Sequence, residues 1–384
     1  MRFLHTADWH LGKILHGHSR AVEQEQVLAE ILEIARREKI DCVLVAGDLF
    51  ESQAPPPEAE RLVYNFFAEL LSARIAAVVI GGNHDHPRRL AAARELLDPL
   101  HIHVRPEPAR PHEGGVVTLE RGGEQARIAV LPFVTERKIV GYCQMMAPED
   151  TWYATYADKV ARMCAVLAES FSSSAVNLFL AHLSLFGAEA SGTERAIHLG
   201  QPYSVSAPRL PGGAHYIALG HLHRPQEIPA PSPCFYAGSP IQLDFGELGQ
   251  AKRVVVIEAH PGRPAHCESV PLISGRSLRA VRGTLPELEA LRDEVASDLL
   301  RVTLVTDGPL PGAAELLRLR LPNALDVHLD YPRAAQSQEQ APRSQLPPEE
   351  LFAEFIRRRD GAPPAQQLRE AFRELSYEVA RAAG

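Results

Sequence analysis

Five short stretches of this 384-residue chain carry residue types that bind divalent cations and act on phosphorus. They are Asp8-Trp9-His10, Gly47-Asp48, Gly81-Gly82-Asn83-His84-Asp85, Ala181-His182 and Gly220-His221-Leu222-His223. Asp, Asn and His form a mixed oxygen and nitrogen donor set without thiolate, which suits manganese, iron or magnesium, with zinc possible on affinity. Asp8, His10, Asp48, Asn83, His182, His221 and His223 supply seven ligand residues. If the Asp48 carboxylate bridges and is counted twice, each of two metals receives four protein ligands. Metals about 3.5–4 Å apart can clamp both sides of a phosphorus and turn bound water into hydroxide near neutral pH. His84 adjoins this set. Oriented by a carboxylate such as Asp85, it could stabilise the charged phosphorane or protonate the leaving oxygen.

Taken singly, each stretch has a plainer reading. Asp-x-His is a common chance pair in a loop, and Gly47-Asp48 is a turn after a strand. Gly-Asn-His-Asp is a turn with Asp85 as a helix N-cap, and a lone His182 is more often a core histidine. Their joint order, each after a strand-like run, carries the metal-site reading. The other twelve of the 17 histidines read as structural, with His16 and His18 near enough to the first motif to touch a substrate.

Each motif is positioned by the element before it. Strand patterns at 2–6, 42–46 and 77–81 alternate with helical patterns at 22–37 and 58–71. Such alternation predicts an α/β domain with a largely parallel sheet, whose ligand crevice lies at the carboxyl ends of the strands. Residues two apart in an extended segment point the same way, so Asp8 and His10 aim together, as do His221 and His223. Further strand-like runs at 116–119, 126–131, 177–182, 216–219, 234–237 and 253–257 predict a second, more mixed sheet, with a helix at about 154–169. From 271 to 332 the pattern reads as a compact βαβαβ unit: strands at 278–282, 300–305 and 324–329, helices at 286–296 and 313–320. A Gln-, Ser-, Ala- and Pro-rich stretch at 333–348 reads as a linker. Beyond it, 349–384 holds two helices, the first with Leu351, Phe352, Phe355 and Ile356 on one face.

The composition is 45% hydrophobic and 23% charged, ordinary globular values. No apolar run is long enough to span a membrane. His5, Asp8, His10 and Lys13 interrupt the first fifteen residues, which do not read as a secretory signal. Cys42, Cys143, Cys164, Cys234 and Cys267 are odd in number, widely spaced and without a CxxC pair. They fit reduced thiols in a cytoplasm better than a disulfide framework. A net charge of −8 argues against strong autonomous duplex binding and allows local basic patches or a partner that supplies affinity.

Together the motifs resemble the calcineurin-like metallophosphoesterase superfamily. Their fuller wording is similar to that of the bacterial DNA end-processing nucleases of that superfamily, counterparts of the Mre-eleven repair nucleases. The residues concerned are His5-Thr6-Ala7-Asp8-Trp9-His10-Leu11-Gly12, Val45-Ala46-Gly47-Asp48-Leu49-Phe50, Gly81-Gly82-Asn83-His84-Asp85, Tyr216-Ile217-Ala218-Leu219-Gly220-His221-Leu222-His223 and Tyr236-Ala237-Gly238-Ser239-Pro240. The resemblance implies an αββα β-sandwich flanked by helices, then a small α+β capping domain and C-terminal helices that dock on a partner ATPase. It implies manganese-dependent DNA cleavage, as a 3′-to-5′ exonuclease on duplex ends and an endonuclease on single strands and hairpins, by a homodimer within a heterotetramer. Carried over by position, Asp8, His10, Asp48 and His223 would hold one metal, and Asp48, Asn83, His182 and His221 the other. His84 would be the catalytic histidine with Asp85 behind it. Glu51-Ser52 stands where the family often has Asp. No GxxxxGK[ST] sequence occurs, so ATP binding would fall to another chain, with the terminal apolar stripe as docking surface. The apolar face of 58–71 is the candidate for dimerisation.

Two other functions compete. One is a stand-alone phosphoesterase on the same scaffold, for phosphoproteins or for small or cyclic nucleotides. Metal ligands cannot separate it from a nuclease, whereas the capping unit and terminal helices favour the nuclease. The other is a non-catalytic scaffold, against which His84 and the full ligand set speak. Arg88 and Arg89 could approach a phosphate backbone; Arg357, Arg358 and Arg359 read as a solvated face or a partner contact.

Overall fold

A computed structural model describes residues 1–146, 155–194, 204–332, 348–360 and 363–382. The chain divides into a unit Met1–Asp330 and a unit Tyr331–Gly384. All but the last residue of the linker expected at 333–348 lies outside the described residues.

The first half follows the strand–helix alternation. β1 (Arg2–Thr6) is followed by a small hairpin, β2 (Ile14–Leu15) and β3 (His18–Ser19). Then come α1 (Ala21–Arg37), β4 (Cys42–Val45), α2 (Pro57–Ser72), β5 (Ala76–Ile80), the short helices α3 (Pro87–Ala92) and α4 (Arg94–Leu97), and β6 (Ile102–Arg105). The second half is more mixed, as the pattern of helix-free strands predicts. It holds β7 (Val116–Arg121), β8 (Glu124–Leu131), α5 (Glu136–Met146), α6 (Tyr156–Ala168), β9 (Val176–His182), the pair β10 (Ser184–Leu185) and β11 (Ser204–Val205), β12 (Tyr216–Gly220), β13 (Gln226–Glu227) and β14 (Cys234–Tyr236). β15 (Arg253–Glu258) and β16 (His266–Pro271) close this part. A capping box between Thr155 and Asp158 sets the start of α6.

Two six-stranded sheets result, in the orders β16-β15-β1-β4-β5-β6 and β13-β14-β12-β9-β8-β7. β1, β4, β5 and β6 run parallel, as do β8, β9, β12 and β14; antiparallel partners sit at the edges. Alternation along β1 explains the layering: Phe3 enters the cluster between the sheets with Leu44, Val78, Leu178 and Tyr216, while Leu4 faces the helices. On that outer face Ile31 and Leu28 of α1 and Leu62, Phe66 and Leu70 of α2 pack on the first sheet. Met163 and Leu167 of α6 cover the second. The architecture is the αββα sandwich. The apolar face of α2, expected to pair with a second copy, is instead buried against its own sheet, with Phe66 edge-on to Trp9 at 4.9 Å.

β17 (Leu278–Gly283), α7 (Leu285–Ala290), β18 (Leu299–Val305), α8 (Ala313–Arg320) and β19 (Ala324–Asp330) form a parallel three-stranded βαβαβ layer. It rests on the sandwich through Leu278 and Leu299, which cluster with Leu15 and Phe245. Arg301 stacks over the Phe245 ring at 4.6 Å. Arg20, fully buried, donates to the Gln242 carbonyl at 2.7 Å and reaches the Arg276 carbonyl at 3.4 Å.

In the second unit α9 (Pro348–Asp360) and α10 (Gln366–Ala382) contact each other by a Phe352–Phe372 stack at 4.1 Å and a two-pronged Arg373–Glu349 ion pair. Of the apolar stripe on α9, Ile356 is buried, while Leu351 and Phe355 are exposed. Among the described residues no helix is long and apolar enough to cross a membrane.

Candidate metal centre

The parallel registers bring the five motifs to one edge. Thr6 of β1 pairs with Val45 of β4, Val45 with Val79 of β5, and Gly220 of β12 with His182 of β9. The strands therefore end level, and the turns beyond them converge. Cross-turn hydrogen bonds lock the first two together: Asp8 N donates to Gly47 O at 3.0 Å, and His10 N to Asp48 O at 3.0 Å. Four candidate ligands adopt left-handed backbone: Asp8 at φ 52°, His10 at 47°, Asp48 at 51° and His221 at 104°. Asp and His tolerate this region better than most residues, yet it still costs energy, and such strain gathers at functional sites. Gly82 must be glycine, because a Cβ there would enter both the carboxylate and the backbone amide of Asp48.

Asp48 is the meeting point. Its donor atoms group with those of His10 and His84 on one side, and with those of Asp8 and His182 on the other, each group within 4.8 Å. Asp48 Oδ1 accepts from His84 N at 2.8 Å, and Oδ2 lies 3.5 Å from His182 Nε2 and 3.7 Å from His10 Nε2. The Asp8 carboxylate accepts from His221 N at 2.9 Å. Asn83 Oδ1 lies 2.9 Å from both His182 Nε2 and His221 Nδ1. His10 and His223 face each other, Nε2 to Nε2, at 3.1 Å. All seven ligands expected from the sequence are thus gathered into one buried cluster.

The donor chemistry fits divalent cations. His182 Nδ1 donates to the Ala46 carbonyl at 2.8 Å, which leaves its Nε2 as a lone pair. That lone pair faces the oxygens of Asn83 and Asp48, a crowd of acceptors that positive charge would reconcile. Burial, and then the neighbouring Asp48, hold the Asp8 carboxyl well above the usual range. For Asp48 burial again opposes charge, but His182, His10 and His84 overcome it and hold the carboxyl well below that range. Two buried carboxylates this close ionise together only with added cations.

The geometry gives Asp85 a task other than orienting His84. Its buried carboxylate accepts from the amides of Gly82 (2.9 Å), Phe50 (3.1 Å) and Leu49 (3.3 Å), clamping the Asp48 turn to the Asn83 turn. Burial and then Asp48 push it up to about 7 against those amides. His84 Nδ1 instead donates to the Glu51 carbonyl at 2.7 Å, and its ring meets His10 edge-on at 4.6 Å. Phe133, two residues beyond β8, stacks on His221 with centroids 6.1 Å apart.

His16 and His18 turn elsewhere, toward Asp326 at 3.9 Å and Glu23 at 3.5 Å respectively. Arg88 is exposed, and Arg89 pairs with Glu60. Sequence reasoning overlooked several supports. Glu51 accepts from His10, Glu247 faces His223, and Glu194 accepts from His223 N at 3.0 Å. A Glu–Lys pair such as 247 and 252 reads in sequence as solvated surface; only its setting among Gly246, Leu248 and Gly249 hints at a buried turn.

Residues 1–225 match the calcineurin-like phosphoesterase family, and residues 274–360 match the type 5 capsule protein repressor C-terminal domain. The chain is 33% identical to the SbcD subunit of the SbcCD nuclease of Bacillus subtilis, across 99% of this chain and 98% of that one. It is 33% identical to the SbcD protein of Rhodobacter capsulatus, across 92% and 94%. The Escherichia coli K12 protein is 28% identical, across 98% and 91%.

Proposed function

The chain belongs to the calcineurin-like phosphoesterase family and, along nearly its whole length, to the SbcD group of SbcCD nuclease proteins within it; from that premise we propose that it cuts DNA with two manganese ions. It is a phosphodiester hydrolase with a nuclease function. The finer reading is 3′-to-5′ exonuclease action on duplex ends and endonuclease action on single strands and hairpins. It acts in DNA repair, recombination and replication, in the cytoplasm, as a homodimer joined to an SbcC-type ATPase. The observation that carries the reading is Asp48, shared between two donor groups, one with His10 and His84 and the other with Asp8 and His182.

Asp8, His10, Asp48 and His223 would hold one metal; Asp48, Asn83, His182 and His221 would hold the other. Bound there, two divalent ions supply Lewis-acid polarisation of the phosphodiester and a nucleophile near neutral pH. The protein's own share is orientation and proton handling. Asp85 locks the two turns that present Asp48 and Asn83. His84, tethered through Nδ1 to the Glu51 carbonyl, presents Nε2 as the ring atom that stabilises or protonates the leaving oxygen. We assign residues 271–332 to a capping domain over this edge. The 349–384 helices dock the ATPase through the stripe where Leu351 and Phe355 are exposed. The five cysteines, all unpaired thiols, suit a reducing compartment.

The test is cleavage of end-labelled duplex and single-stranded DNA in manganese by the full chain and by His84→Ala. Wild type should degrade DNA and stop on addition of EDTA. His84→Ala should lose at least about 100-fold in rate while retaining bound manganese. Manganese lost with the side chain would make His84 a ligand. Hydrolysis of bis(p-nitrophenyl) phosphate with DNA left intact would move the reading toward small phosphodiesters or an obligate ATPase partner.

A further inference from the structure

Two imidazoles of the centre share one pattern of support. His10 Nδ1 lies 2.9 Å from Glu51 Oε2, and Lys13 Nζ lies 2.9 Å from Glu51 Oε1. His223 Nδ1 lies 3.0 Å from Glu247 Oε1, and Lys252 Nζ lies 2.7 Å from Glu247 Oε2. An ionised carboxylate only accepts, so in both rings Nδ1 carries the proton and Nε2 presents its lone pair. Those two Nε2 atoms stand 3.1 Å apart. Lone pair against lone pair is repulsive; a cation shared by both nitrogens turns the same geometry into ligation.

We propose that Glu51 with Lys13, and Glu247 with Lys252, are positioning residues: two matched Glu–Lys relays that fix the tautomer and ring plane of His10 and His223 toward one divalent ion. The inference rests on the two-metal reading above. A mere fold-bracing ion pair would not need the imidazole, yet Glu247 divides its oxygens. Oε2 takes Lys252, the Leu243 amide and the Ser239 hydroxyl, while Oε1 takes His223 and the Thr193 hydroxyl, whose oxygen also lies 2.8 Å from His223 Nδ1 and braces the same ring. Lys252 completes the brace by donating to the His223 carbonyl at 2.9 Å and the Ser239 hydroxyl at 2.9 Å. The relays differ in depth. Glu247 and Lys252 are buried, whereas the Glu51 and Lys13 side chains keep 30% and 23% of their surface. Water screens the Glu51 relay, so it contributes less.

The experiment is manganese titration of the full-length, metal-stripped chain, followed by the EPR signal of the free ion, with the melting temperature of the stripped protein measured alongside. Glu247→Ala should weaken manganese binding by about 10–100-fold. Glu247→Gln, which keeps an acceptor oxygen without the charge, should recover part of that loss. Glu51→Ala should weaken binding by a smaller factor. A purely structural role would lower the melting temperature of the stripped protein and leave manganese affinity at the wild-type value in all three variants; that outcome overturns the proposal. If Glu247→Ala does not fold, Glu247→Gln and Glu51→Ala decide by the same criterion. A wild-type chain that binds no manganese sinks the metal-centre reading itself, and the relays with it.

Discussion

Asp48 is the residue on which both donor groups depend, so its loss should be felt twice. Asp48→Ala is expected to abolish binding of both metals, read as metal content after dialysis, with nuclease activity falling to background. The candidate ligands stood out in the sequence because their types are rare together and each lies at or just beyond a strand end. Their partners were not, because hydrogen bonds to Glu51, Glu194 and Glu247 depend on contacts between segments far apart in the chain. His5 gives a residue-scale prediction about stability. It is buried beside the Tyr216 hydroxyl at 3.0 Å, and burial lowers its pKa from 6.5 to about 3. The folded state therefore keeps it neutral while the unfolded state takes up a proton below about pH 6.5. Its contribution is complete above that pH and is lost as pH falls toward 3, with a slope of at most about 1.4 kcal/mol per pH unit. Urea unfolding of wild type and His5→Gln at pH 7 and pH 4.5 should show a shallower acid loss in the variant; equal losses would rule the assignment out.

At the scale of elements, the level ends of β1, β4, β5, β9 and β12 make the centre possible, and packing behind them keeps the ends level. Phe66 of α2 is the central plug of the first helical layer, against Trp9. Phe66→Ala should cost about 3–5 kcal/mol in denaturant unfolding, through the cavity it leaves. Gly82→Ala should behave in the opposite way. The helices and sheets should largely persist by circular dichroism, while the new Cβ pushes both the carboxylate and the backbone amide of Asp48 out of place and metal binding fails. The strand–helix alternation of the first half was readable because parallel, doubly covered strands are uniformly apolar and period-3.6 helices separate them. Elements such as β6, β13 and β16 were not, since short edge strands alternate weakly and owe their pairing to the neighbouring strand. The apolar face of α2 shows the same limit. Its stripe was visible, but whether it covers its own sheet or a second copy is decided by tertiary contact.

For the molecule as a whole, Arg20 joins the hairpin, the segment before β15 and the approach to the βαβαβ layer. Arg20→Ala would leave the buried Glu23 with only the His18 imidazole beside it, at a cost of up to about 3–5 kcal/mol. It should also speed tryptic cleavage after Arg276 in the full chain; an unchanged digestion rate would show that the apolar cluster around Phe245 alone holds the layer down. The left-handed backbone at Asp8, His10, Asp48 and His221 has a consequence of another kind. Glycine is the replacement that relieves such a backbone, and at these positions it also removes a ligand. Glycine at Asp8 or Asp48 would also leave the amides of His221 and His84 without their carboxylate acceptors, so the relief of backbone strain is set against lost hydrogen bonds. The strained backbone at Asp8 and Asp48 is thus held in place partly by the same carboxylates that the centre uses.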